Sequence, residues 1–236
     1  MTRVAVFETP GAVASGAAAA IARLSREAIA ARGEFHFALS GGTTPRAAYE
    51  HLAALEVDFG KVHIWFGDER AVAPTDPDSN YHMAREALLS RITIPEDNVH
   101  RMRGEATDVE EAAREYAAGL PGVLDLALLG MGEDGHTASL FPGSTALDET
   151  ERRVLPVIGP KPPPQRLTLT LPVLRAARER MVLVTGAGKA EILKRVLVGP
   201  ETIRELPVQV ARRGIFFLDA GAASVLPTDW LAAHRA

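Results

Sequence analysis

Between Leu126 and Pro142 the chain reads LALLGMGEDGHTASLFP: an apolar run, then glycines, a carboxylate pair and one histidine. Imidazole titrates near neutrality, and a carboxylate two residues away can orient its ring or hold its charged form. His136 and Asp134 therefore have the chemistry of a general base and its partner. An apolar run ending in glycines delivers such a ring to the carboxyl end of a buried strand, where open parallel sheets bind ligands. The same string also satisfies Gly130-x-Gly132-x-x-Gly135, the dinucleotide fingerprint. Glu133 and Asp134 stand among those glycines, where they would repel a pyrophosphate, and the string lies mid-chain rather than opening a nucleotide-binding unit. It reads as a catalytic loop, not a nicotinamide site.

Three further loops carry polar groups at the ends of apolar runs. Ser40-Gly41-Gly42-Thr43-Thr44-Pro45 follows the run Phe35–Leu39. Thr44 suits an N-cap and Pro45 the first helical position, and the free amides of a helix start favour an anion such as phosphate. The same residues suit a plain strand-to-helix turn, and no Gly-Lys-Ser/Thr closes a P-loop. Gly67-Asp68-Glu69-Arg70 follows Val62–Phe66; three charges there are costly unless paired or in use, or else they form a solvated turn. Asp78-Ser79-Asn80-Tyr81 reads as the cap of the next helix, with His82 an ordinary helix residue. Gly186-Ala187-Gly188-Lys189 repeats the pattern of strand, glycines and helix. Lys189 at a helix start opposes the macrodipole and so calls for an anion nearby, unless it is simply solvated. His36, His51, His63, His100 and His234 lack such settings and read as structural or surface residues.

Absences narrow the chemistry. No Gly-x-Ser-x-Gly elbow offers an acyl-serine nucleophile, and no His-Glu-x-x-His cluster indicates a catalytic metal. There is no cysteine, which excludes disulfides and thiolate chemistry and fits a reducing cytoplasm. A net charge of −4 argues against a nucleic-acid partner, though a local cluster of donors could still hold a small anion. The apolar stretch Met1–Phe7 is stopped by Glu8 and Pro10, too short for a secretory or membrane segment; it reads as a first strand.

The elements that must position these loops alternate along the chain. Strands are expected at Arg3–Phe7, Phe35–Leu39, Val62–Phe66, Leu124–Leu129, Leu167–Leu171, Met181–Thr185 and Ile215–Leu218. Their continuous hydrophobicity suggests burial on both faces, as in a parallel sheet covered by helices. Helices are expected at Ala12–Ala31, Pro45–Leu55, Asn80–Ser90, Val109–Ala118, Pro172–Ala177 and Lys189–Val198. In the first, Arg23, Arg26 and Glu27 mark the wet side. Asp148–Pro164 reads as a loop or stiff crossover. The whole is a doubly wound α/β chain of 236 residues, expected to form a single domain over residues 1–236.

Taken in order, SGGTTP at Ser40–Pro45, FGDER at Phe66–Arg70, DSNY at Asp78–Tyr81, GMGEDGHTASLFP at Gly130–Pro142, RLTLT at Arg166–Thr170 and GAGKAEIL at Gly186–Leu193 resemble the glucosamine-6-phosphate isomerase/6-phosphogluconolactonase family. The resemblance covers nearly the whole chain, and six motifs in order are far more specific than any one. It implies a modified Rossmann-like, mostly parallel sheet with helices on both faces, no cofactor, and water attack on a sugar-phosphate lactone. It also implies a phosphate pocket and a histidine that assists the water. On the residues themselves, Gly41, Gly42 and Thr43, with Ser40, are expected to hold the phosphate, Lys189 to neutralise it and Arg166 to add a bidentate contact. His136 is expected to act as base with Asp134 holding its ring or its charged form, Asp68 to bind substrate, and Arg70 either to stabilise the oxyanion or to orient the lactone. Family members that deaminate glucosamine 6-phosphate resemble Asp-Glu-Tyr where this chain has Asp68-Glu69-Arg70. They also carry a ring-opening glutamate where it has Phe141, which cannot transfer that proton. A sugar-phosphate sensor without turnover is the other alternative. A monomer acting in the cytoplasm on a small molecule, away from membranes, completes the expectation.

Overall fold

Six apolar segments line up as parallel neighbours: β1 (Arg3–Phe7), β2 (Phe35–Leu39), β3 (Val62–Phe66), β5 (Leu126–Gly130), β8 (Glu179–Val184) and β9 (Ile215–Asp219). The computed structural model describes residues 1–236. The order across this sheet is β1-β9-β8-β5-β2-β3. Leu126–Leu129 and Met181–Val184 are buried at every position. Successive residues of a strand point to opposite faces, so both faces of the central sheet are covered.

The strand order locates the site. From β2 the chain runs outward to β3; it returns on the other side of β2 as β5 and proceeds to β8 and β9. The loops after β2 and β5 therefore diverge, leaving a crevice at the carboxyl ends of two adjacent strands. Those loops begin at Ser40 and Met131.

Eight α-helices accompany the strands: α1 (Pro10–Arg32), α2 (Thr43–Leu52), α3 (Asn80–Ala87), α4 (Val109–Gly119), α5 (Leu171–Ala176), α6 (Ala190–Val198), α7 (Ala220–Ala223) and α8 (Thr228–His234). Helix α1 shows how local chemistry sets the bounds. The Thr9 side chain accepts from Ala12 N–H at 3.2 Å, Pro10 takes the first helical position, and Gly33 ends the helix at φ +88°. Its Val13, Ala14, Ala17, Ala18 and Ile21 stripe is buried, while Arg23, Arg26 and Glu27 are exposed, as the periodicity requires. One contiguous cluster of 62 buried apolar residues joins sheet and helices.

Two expectations need correction. Asp148–Pro164 is not a plain loop: it contains β6 (Val154–Ile158). The strand expected at Leu167–Leu171 is β7 (Gln165–Leu169), and Leu171 already opens α5. With the short β4 (Asp68–Arg70), these build a separate antiparallel sheet ordered β4-β7-β6. Arg166 thus lies within a strand, not before one, and pairs directly with Arg70. Boundaries also move: β5 starts at Leu126 rather than Leu124, β8 at Glu179 rather than Met181, and α2 ends at Leu52. Helices α7 and α8 follow β9, where no helix was expected.

Candidate active site

One cavity of about 240 Å³ opens over the carboxyl ends of β2 and β5, and nine of the ten residues singled out above line it. The tenth, Asp134, stands directly behind the ring of His136.

The candidate base, His136, comes from the loop after β5, where no α-helix directly follows and a dinucleotide turn has no place to form. A tight turn, Gly135 N–H to Gly132 C=O at 3.0 Å, folds Asp134 back against His136. His136 Nδ1 lies 2.5 Å from Asp134 Oδ1, and the His136 amide donates to the same oxygen at 3.1 Å. An ionised carboxylate only accepts, so in the neutral ring the proton sits on Nδ1 and Nε2 keeps its lone pair. Burial pushes the Asp134 carboxyl up, but hydrogen bonds from the His136 amide and ring, with the ring's charge, outweigh it and hold its pKa below the usual range. Ala138 is the one non-glycine residue in the left-handed region, at φ +48°. That conformation costs on the order of 1–2 kcal/mol. It accompanies a sharp turn in which Thr137 Oγ1 returns to the Gly130 carbonyl at 2.8 Å and Ser139 Oγ reaches Asp68 Oδ2 at 2.6 Å.

The loop after β2 supplies amides. The N-cap of α2 is Gly42, at φ +111°, and the helix starts at Thr43. Thr44 is not the cap and Pro45 is the third helical residue; the sharp reversal needs glycine's freedom two residues earlier than a Thr44 cap would place it. No side chain caps this helix end, so its first amides are free for a ligand. Ser40 is fixed from behind: the Tyr49 hydroxyl accepts from its N–H and donates to its C=O, both at 2.8 Å. Gly41 packs on Asn80 so closely that a Cβ would overlap the side-chain amide.

Three cations line the cavity without an ionic partner. In the antiparallel ladder Arg70 and Arg166 are directly opposite, a like-charge pair that is unfavourable unless an anion lies between them. Arg70 Nη1 donates to the Asp78 carbonyl at 2.5 Å, while its Nε is buried with no partner. Arg166 donates from Nε to Pro163 C=O at 3.0 Å and from Nη2 to Lys161 C=O at 3.2 Å, leaving Nη1 for a ligand. Burial lowers the Arg166 pKa, and Arg70 lowers it further. Lys189 ends the turn Ala187–Lys189 and caps α6; burial lowers its pKa against the opposing pull of Glu133. Lys189 is fixed through Gly186, whose amide is held by both oxygens of Asp219, at 3.0 and 3.1 Å. None of the three cations joins the protein's ion pairs.

The sequence did not reveal the frame behind them. Asp68 is buried with its carboxylate taken by Ser139 and by Asn80 Nδ2, at 2.6 and 3.1 Å. Glu69, equally buried, accepts from the amides of Arg70, Asn80 and Tyr81 and from the Ser79 hydroxyl. Burial pushes the pKa of Glu69 up against those four donors. Phe141 touches both halves of the site: its ring centroid is 4.7 Å from the His136 ring and 5.5 Å from Arg166 Cζ. The DSNY and FGDER strings sit beside each other in this frame, but nothing in either string says that Glu69 would cap α3.

A crevice at the switch point of a parallel sheet, holding a carboxylate-bound imidazole and three cations without carboxylate partners, defines an enzyme-type site for an anionic substrate. The sequence matches over residues 8–216 the model of a family described as glucosamine-6-phosphate isomerases/6-phosphogluconolactonase, and the chain belongs to that family. Among its relatives, the 6-phosphogluconolactonase of Synechocystis sp. is 40% identical, over 85% of this chain and 88% of that protein. The 6-phosphogluconolactonase structure from Trypanosoma brucei superposes with a TM-score of 0.84 at 30% identity, covering 96% of this chain and 99% of the other. A monomeric glucosamine-6-phosphate deaminase also has a TM-score of 0.84 (94% of this chain, 99% of that one), but at 21% identity it shares the fold alone.

Proposed function

We propose that this chain hydrolyses 6-phospho-D-glucono-1,5-lactone to 6-phosphogluconate, the lactone-opening step of the pentose phosphate pathway. Its lactonase relatives support the reaction, and the observation that carries the mechanism is the His136–Asp134 pair at the wall of a cavity with three unpaired cations. The phosphate of the substrate sits on the amides and hydroxyls of Ser40, Gly41, Gly42 and Thr43. Lys189 neutralises it, and Arg166 adds a guanidinium contact. His136 Nε2 takes a proton from water as the water oxygen attacks the lactone carbonyl carbon. The same proton then passes to the ring oxygen as the carbon–oxygen bond breaks, leaving a carboxylic acid and a hydroxyl. Asp134 holds the imidazole in the tautomer that leaves Nε2 free and stabilises the imidazolium that forms. Arg70 faces the lactone, where its guanidinium can meet the carbonyl oxygen, and Asp68 orients the loop beneath it.

No covalent intermediate is needed, because δ-lactones already open slowly in water. Phe141 cannot serve the ring-opening proton transfer for which the resemblance gives the deaminases a glutamate. We further propose that the chain works as a single domain and a monomer in the cytoplasm, on a small molecule rather than nucleic acid; its net charge of −4 supports the last point. No helix is long and apolar enough to cross a membrane.

The test follows proton release from fresh lactone, corrected for the spontaneous rate. We expect acceleration by the protein, and His136→Ala to lower kcat by about 10²–10⁴-fold with KM little changed. A variant with wild-type kcat would remove His136 as base. A protein that binds 6-phosphogluconate but leaves the background rate unchanged would be a sensor.

A further inference from the structure

A second cavity, of about 670 Å³, lies at the opposite end of the main sheet from His136, at the amino ends of β1, β8 and β9. Its wall is cationic because of one close backbone approach. Gly214 directly precedes β9 and neighbours Arg180, the second residue of β8. A Cβ on Gly214 would collide with the Arg180 carbonyl. With none there, the tight turn before β9 presses Arg212 and Arg213 against the start of β8; Arg212 N–H meets Gln209 C=O at 2.9 Å and Gly214 N–H meets Ala211 C=O at 2.7 Å. Arg175 closes the wall from the end of α5, its carbonyl accepting Arg180 Nη1 at 2.5 Å.

Four arginines thus line one cavity. The only side-chain bonds they make go to carbonyls: Arg180 to Arg175, and Arg212 Nη2 to Leu197 at 2.9 Å. None of the four joins an ion pair, and Arg180 Nε is buried with no partner. Glu201 is the single carboxylate in the lining. Exposed arginines can be satisfied by water, and Arg175 and Arg213 are exposed. Arg180 is half-buried, so its guanidinium is partly desolvated with no ion-pair partner to offset the cost. Guanidinium donors are suited to phosphate oxygens in pairs, and four of them exceed what one phosphate can engage. The chain as a whole carries a net charge of −4, which disfavours a nucleic acid as the ligand. Its volume is that of a small-molecule site.

We propose that this cavity is a second anion site, separate from the catalytic one, that binds a chain of several linked phosphates. The chain could be a free inorganic oligophosphate or the phosphate tail of a nucleoside polyphosphate. The test is a calorimetric titration with inorganic tripolyphosphate at 150 mM salt, where weak surface attraction is screened to about 8 Å, with the catalytic cavity saturated by 6-phosphogluconate. The wild-type chain should bind one equivalent. Arg213→Gln should weaken binding at least tenfold and Arg180→Gln/Arg213→Gln should abolish it, with lactone hydrolysis by Arg213→Gln unchanged as proof of folding. No binding by the wild-type chain, or undiminished binding by the folded Arg213→Gln variant, overturns the proposal. Adenosine triphosphate separates the sources: equal affinity assigns recognition to the phosphates alone, and at least tenfold tighter binding assigns the nucleoside a share.

Discussion

A Cβ on Gly132 would overlap the imidazole of His136 and approach within 2.6 Å of Asp134 Oδ1. The glycine is thus needed for space beside the His136 ring, not for a positive φ. Gly132→Ala should swing the ring away from its productive position, and a misplacement of about 1 Å costs roughly 10²-fold. We expect kcat to fall by about that factor while 6-phosphogluconate binding, measured by calorimetry, persists. Lys189 gives a prediction in pH. Burial makes its ammonium costly, so its folded pKa lies below the ordinary 10.5. Without ligand, its contribution to stability therefore rises as pH climbs from the folded value toward 10.5. Phosphate affinity runs the other way, because the ammonium is the binding form. The Kd for 6-phosphogluconate should weaken as pH rises through the folded pKa, before an ordinary lysine would titrate. Lys189→Arg should flatten that limb.

At the scale of elements, the site depends on a small antiparallel sheet that sets two arginines against each other and on the cap of α3 that holds one of them. Glu69 ties β4 to the start of α3 through three amides and a hydroxyl, and the Asp78 carbonyl just before that helix holds Arg70. Glu69→Gln exchanges one accepting oxygen for an NH₂ facing donors, a loss of about 1–3 kcal/mol. Thermal melting should fall by several degrees and kcat/KM severalfold, since Arg70 loses its anchor; unchanged values for both would show that the cap is not needed. The main strands were legible as continuous apolar runs. The second sheet was not: β4 is Asp68-Glu69-Arg70, with no apolar residue, and β6 carries Pro156 near the proline run Pro162–Pro164. Such segments become strands only because β7 lies between them with backbone groups to pair.

At the scale of the whole molecule, the proposed catalytic cavity is charged in advance. Arg70, Arg166 and Lys189 are gathered there without carboxylate partners, so the free protein bears their repulsion and an anion relieves it. A ligand at 100 times its Kd contributes about 2.7 kcal/mol to stability. For a chain of this size that corresponds to a rise of roughly 5–10 °C in Tm. 6-Phosphogluconate should produce such a shift in a thermal melt, and Lys189→Gln should lose most of it at the same concentration. The fold by itself does not select the chemistry, since a deaminase shares it with a TM-score of 0.84; the side chains at the crevice do. The sequence by itself determined the alternation of buried strands and amphipathic helices, because hydrophobic period is local. It also placed the proposed base beside its carboxylate, because they are two residues apart. Only the tertiary structure decided that Arg70 faces Arg166 across a ladder and that Lys189 joins them. It also placed Asn80, Ser139 and Glu69 behind them. Those neighbours are up to 120 residues apart in the chain (from Glu69 to Lys189), and strand order, which no local pattern encodes, brings them together.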